Sequence, residues 1–210
     1  MTTPRVQPHV DQATSEGWVE MTLAQQAVAV LKDAGVMLDP GLGEGDIDDV
    51  EARYGIRFGD DHRALLALVV PIGPNWVDWR RDDDADIRRR LAWPHDSAVW
   101  HVQHTLKDWP RSWGQRPEGD DEIETVARRH LARWHPLIPV WGHRYLPGAP
   151  APAGSPVFSV YQIDVSLYGV DLVDYFHHEL HPRSTRARRS AQHTYHPWSR
   201  LAYDLEPADL

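Results

Sequence analysis

The order in which two hydrophobic periods follow each other constrains this chain more than any other feature. Its 210 residues open on helical periods and bring in strand-like runs only later. The regular strand–helix alternation of a doubly wound sheet is missing. Thr22 stands where an N-cap belongs, with Gln25 three residues on in capping-box position. Leu23, Ala27, Val30, Leu31 and Ala34 follow as one stripe, and Gly35 closes it. A second helix is expected over 44–54, with Ile47, Val50 and Tyr54 inward and Gly55 as terminator. A third starts at Asp60 and carries Leu65, Leu66 and Val69. The fullest stripe lies in 120–134: Ile123, Val126, Ala127, Leu131 and Trp134. Acids fill its first turn, and Arg128, Arg129 and Arg133 stand toward its end, as the macrodipole favours. Asp171 caps a last helix through Leu172, Tyr175, Phe176 and Leu180.

Strands are expected at 97–103 (SAVWHVQ), at 137–141, where Pro139 marks an edge, and at 157–163 (VFSVYQI). The turn at Pro40–Gly43, the loop from Pro71 to Trp79, the aromatic loop 107–117 and the Pro-rich loop 147–156 connect these elements. A short helix from Asp82–Asp84 to Leu91 should stop before Pro94, which cannot continue a helix. The sum is an α+β fold, a mostly antiparallel sheet with helices packed on one side. It occupies 21–180, between a flexible leader at 1–20 and a basic, mobile arm at 181–210. That arm lacks any period and holds four Arg within 183–189.

Charge and composition narrow the functions. The formal charge is −9, and the last thirty residues hold five Arg against three acids. The remainder therefore has 17 of the 22 bases against 28 of the 31 acids. Such a body repels phosphate backbones and attracts a basic partner, so no nucleic acid is expected. Without cysteine there is no disulfide, no thiolate metal site and no Cys nucleophile, which fits a cytoplasmic protein. No apolar run reaches the roughly 18 residues of a membrane span.

Several histidine and acid patterns invite metal or cofactor readings that their context does not support. His177 and His181 share a helix face but stand at a C-terminus, where histidines suit the dipole. His101 and His104, on a strand, would point to opposite faces. Gly41, Gly43 and Gly45 follow no strand, as a dinucleotide fingerprint requires. The Asp82–Asp84 run with Asp86 reads as a solvated helix start. No metal and no cofactor are expected. One constellation is denser. His143, Arg144 and Tyr145 end a strand, and Gln162 and Asp164 share a strand face with Phe158 and Val160; Tyr168 and Asp171 follow. Pairing of these strands would unite Arg144 with Asp164 near His143, Tyr145 and Gln162, either as a buried polar network or as a ligand or partner site.

Residues 41–68 (GLGEGDIDDVEARYGIRFGDDHRALLAL) resemble the opening of SUKH-superfamily (Smi/Knr-like) proteins through Glu51, Tyr54, Gly55, Phe58, His62, Arg63 and Leu66, with Gly59 where the family usually has Pro. PNWVDWR (74–80), RRRLAWP (88–94), WHVQHTLKDWPRSWGQRP (100–117), VWGHRYLP (140–147) and SPVFSVYQIDVSLYGVDLVDYF (155–176) resemble a bacterial subgroup of it, although His101 and Thr105 depart from that pattern. The resemblance spans about 36–180. It implies an α+β scaffold that binds proteins, many members acting as immunity proteins against toxins and others as cell-wall regulators. The matching positions His104, Trp113, His143, Arg144, Tyr145, Gln162, Asp164 and Tyr168 are the candidate binding residues. Three readings follow: a non-enzymatic protein-binding module facing a basic toxin domain; a small-ligand binder or enzyme on His143, Arg144, Tyr145 and Asp164; and a scaffold or cell-wall-related regulator. The oligomeric state is open.

Overall fold

The computed structural model describes residues 21–105, 108–181, 198 and 201. The expected leader and most of the expected arm lie outside the described residues. Helix α1 (Leu23–Asp33) has the reciprocal capping box: the Gln25 amide donates to Thr22 Oγ1 at 3.2 Å, and the Thr22 amide to Gln25 Oε1 at 2.9 Å. Strand β1 (Met37–Pro40), helix α2 (Glu44–Tyr54), helix α3 (Asp60–Leu68) and strand β2 (Val69–Ile72) follow, and β1 pairs antiparallel with β2. This small ribbon takes in Pro40 from an expected turn, Val69 from an expected helix and Pro71 and Ile72 from an expected loop. Gly55 ends α2 in the left-handed region that favours glycine.

The largest departure is helix α4 (Asp84–His104), a single 21-residue helix that runs through Pro94 and absorbs the strand expected at 97–103. Its inward residues Ile87, Ala98, Val99 and Val102 are buried at helical spacing, while Trp100 faces outward. A proline inside a helix leaves the carbonyl four residues earlier without its donor. That carbonyl, on Arg90, instead accepts the hydroxyl of Tyr145 at 3.1 Å. A hydrogen bond from the sheet thus fills the gap that Pro94 makes.

A 3₁₀ turn (Arg111–Trp113) leads to helix α5 (Asp120–Leu131), which ends three residues before Trp134, the expected last member of its stripe. Strands β3 (Leu137–Trp141), β4 (Arg144–Pro147), β5 (Val157–Tyr161) and β6 (Asp164–Gly169) form an antiparallel sheet in sequence order, with β3 and its Pro139 at one edge. Helix α6 (Leu172–Leu180), capped by Asp171, closes the described fold.

The α+β class and the antiparallel pairing are as expected, but the helices cover both faces of the four-stranded sheet rather than one side. Side chains alternate along a strand. Tyr145, Phe158, Val160 and Val165 pack with Val99, Val102, Ile123 and Leu131 of α4 and α5. Leu146 and Val157 point the other way, to Ala27 and Leu31 of α1 and Leu172, Tyr175 and Phe176 of α6. A third cluster, around Ile47, Phe58, Leu66, Trp79 and Ile138, joins the small ribbon to the sheet.

Trp198 and Leu201, from the stretch read as an arm, are buried in the first of these cores. Trp198 donates its indole N–H to the His135 carbonyl at 2.9 Å, stacks on His95 and meets Trp134 edge-on.

Candidate functional site

The turn between β5 and β6 decides where the expected polar cluster goes. Gln162 takes φ +56 and, with Ile163, reverses the chain, so Asp164 starts β6 opposite Tyr161 instead of ending β5. Asp164 is exposed and is not the partner of Arg144. Opposite Arg144 in the ladder stand Ser159 and then Ser166. Arg144 is buried, and its guanidinium donates from Nε to Glu179 at 3.1 Å and from Nη1 to Ser159 Oγ at 2.9 Å, and lies 3.6 Å from the centre of the Tyr168 ring. This is a closed site with an ion pair, a neutral acceptor and a cation–π face. Glu179 escaped sequence reasoning although it continues the inward stripe of Leu172, Tyr175 and Phe176; a carboxylate on such a stripe calls for a buried cation.

The other candidates separate. Tyr145 neighbours Arg144 in sequence and therefore faces the opposite side of β4, where burial pushes its phenol pKa up and its hydroxyl serves Arg90. Trp113 is buried, stacked on His130 and edge-on to Trp109. His104 lies on α4, not on a strand, stacked at 4.4 Å on the exposed Trp100. Gln162 is held against α4: its carbonyl accepts from Ser97 Oγ at 3.4 Å, and its side-chain oxygen lies 3.1 Å from Nδ1 of His101. The other His101 nitrogen is 2.7 Å from Asp108. Asp171 accepts the Asp174 amide as the cap of α6. The rings of His177 and His181 are 5.9 Å apart. Among the described residues, no group of three or more potential metal-ligating side chains converges. No helix among them is long and apolar enough to cross a membrane.

Only His143 and Tyr145 of the expected set reach an open groove of about 370 Å³. It lies between the first half of α4, the Gly142–His143 turn and the end of β5. Its helix wall is built by spacing: Asp86, Arg89, Arg90 and Trp93 fall at i, i+3, i+4 and i+7. Asp86 binds both guanidiniums, Arg89 through Nη2 and Arg90 through Nε at 2.7 Å. The Asn75 carbonyl fastens the floor, accepting the Gly142 amide at 2.9 Å and Arg90 Nη1 at 3.2 Å. Asn75 and Gly142 both take positive φ there, a conformation that costs energy at a non-glycine residue. His143 stands exposed at the rim. Its pKa is lowered by partial desolvation and then by Arg144, against a smaller opposite pull from Glu179, so the imidazole is neutral at neutral pH.

Exposed aromatic rings flank the groove. Trp93 (40% exposed) and Trp100 (51%) lie seven residues apart on one face of α4, and Tyr161 (65%) stands beside the turn that docks on that helix. Breaking the helix at Pro94 hides this face from sequence reasoning, because Arg89, Arg90 and Trp93 then share no surface with Trp100. Comparison with family models, with curated proteins and with solved structures gave no match.

Proposed function

We propose that this chain is a non-enzymatic protein-binding module of the SUKH type, acting as an immunity protein that docks a basic toxin domain on the outer face of α4 and the adjoining β5–β6 turn. The exposure of Trp93, Trp100 and Tyr161 on these two neighbouring elements carries the reading. Trp, Tyr and Arg dominate interface energies, and large rings left in water gain most when a partner covers them. The formal charge of −9 steers a basic partner toward the chain from a distance, while the surplus positive charge at Arg89 and Arg90 selects where an acid of that partner can sit on this face. Chemistry on His143, Arg144, Tyr145 and Asp164 loses its support, since Arg144 and Tyr145 face opposite sides of the sheet and Asp164 belongs to another strand.

The test is direct. Basic toxin domains are expressed with the chain one at a time, and both cell growth and calorimetric affinity are measured. The double variant Trp93→Ala, Trp100→Ala should keep its fold but lose protection and bind at least about 100-fold more weakly, as for two anchor residues. Equal protection and affinity in that variant would remove this face from the interaction.

A further inference from the structure

We propose that the groove between α4 and the Gly142–His143 turn is a binding site for a small aromatic carboxylate, a single or fused ring bearing one carboxylate group. The charge count on the helix wall points to the anion. Arg89 and Arg90 bring two positive charges and Asp86 one negative, and no other charged partner of these two guanidiniums occurs among the described residues. One positive charge is left over, which matches a carboxylate better than a phosphate dianion. Arg90 is already spoken for, by Asp86 through Nε and by the Asn75 carbonyl through Nη1. Arg89 meets Asp86 through one nitrogen, and its side chain is 73% exposed, so its remaining N–H groups can bind a carboxylate oxygen.

The walls point to the ring. Trp93 from the helix and Tyr161 from the sheet present aromatic surface, and Val160 and the Tyr145 ring form an apolar floor. The His143 imidazole adds a polar edge without a second cation. About 370 Å³ is near the small end of ligand pockets and enough for a one- or two-ring acid. The Asn75 carbonyl ties loop, hairpin turn and helix together before any ligand arrives, which lowers the ordering cost of binding. This site stands whether or not a protein docks on the same face.

Indole-3-acetate is a suitable probe, titrated into the full chain while the tryptophan indole N–H resonances are followed by NMR. Saturable binding is expected at about 1 mM or tighter, moving the resonance assigned through Trp93→Phe. Acetate, which lacks the ring, and 3-methylindole, which lacks the charge, should each bind at least about tenfold more weakly. Arg89→Gln and Tyr161→Ala should each weaken the probe by about tenfold, the worth of one charge-assisted hydrogen bond or one ring contact. Trp100 does not line the groove, so Trp100→Ala should leave the probe unaffected while weakening protein docking; this separates failure of one idea from failure of the other. The proposal is overturned if 3-methylindole binds as tightly as the acid, if both groove variants keep wild-type affinity, or if no saturation appears by about 10 mM.

Discussion

Two of the arginine sites among the described residues are built from the same residue types, and they are opposites. At Arg144, a guanidinium, a carboxylate and a tyrosine ring are folded onto each other between β4 and α6, almost without water. At Arg89 and Arg90, two guanidiniums share one carboxylate beside a tryptophan and a tyrosine, and the assembly faces solvent. The difference is one of stoichiometry and closure. Arg144 has one acid, one hydroxyl acceptor and one ring, so its charge is used inside the fold. The α4 pair has a charge to spare among the described residues, and its rings stand partly in water. Residue type alone therefore does not separate a structural ion pair from a binding surface; the count of partners and the access of water do.

Arg144→Ala should produce the largest effect. It strands Glu179 in a largely buried site and removes the cation from Tyr168, and breaking a buried pair from one side costs roughly 3–5 kcal/mol. Chemical denaturation measures this directly. Glu179→Ala added to Arg144→Ala should recover part of the loss, because the stranded carboxylate goes with it. A single variant within about 1 kcal/mol of wild type would place Arg144 on the surface side of the comparison.

The next effect tests the seam between the sites. Tyr145→Phe leaves the Arg90 carbonyl without a donor, since Pro94 has no N–H to offer, and should cost about 1–3 kcal/mol. In a Pro94→Ala background the new amide serves that carbonyl, and Tyr145→Phe should cost markedly less. Equal costs in both backgrounds would mean that the hydroxyl is not standing in for the helix bond.

Those two sites also mark where the fold was legible. The capping box of Thr22 and Gln25, the charges of α5 and the edge position of Pro139 were readable, because each is a local rule satisfied by local partners. Helix α4 was not. Pro94 argues against a helix, and SAVWHVQ alternates like a strand; the donor that rescues the helix comes from Tyr145, 55 residues away. The β5–β6 turn has no glycine or asparagine to announce it. Gln162 takes the left-handed conformation instead, held by Ser97 and His101 of α4, so a strand read as continuous to Ile163 turns two residues early. That shift moved Asp164 away from Arg144 and left Glu179 as the true partner. The groove was missed for the same reason, since its helix wall exists only if α4 is unbroken.

The smallest effect is the one that sharpens the comparison most. Arg89→Ala and Tyr161→Ala should each shift stability by no more than about 0.5 kcal/mol, and Trp93→Ala, whose ring is more than half covered, by about 1–2 kcal/mol. Arg89 leaves Asp86 still paired with Arg90 Nε, so no carboxylate is stranded. Tyr161 is largely in water already, and Trp93 is 40% exposed, so truncation opens no enclosed cavity. Denaturant midpoints and slopes measured beside Arg144→Ala supply the contrast: two sets of Arg and aromatic residues, one costly to remove and one much less so. Residues that are nearly neutral for folding yet costly for ligand or partner binding belong to a surface kept open for use. A loss above about 2 kcal/mol in Trp93→Ala would make its ring part of the core and undo the distinction between the two arginine sites.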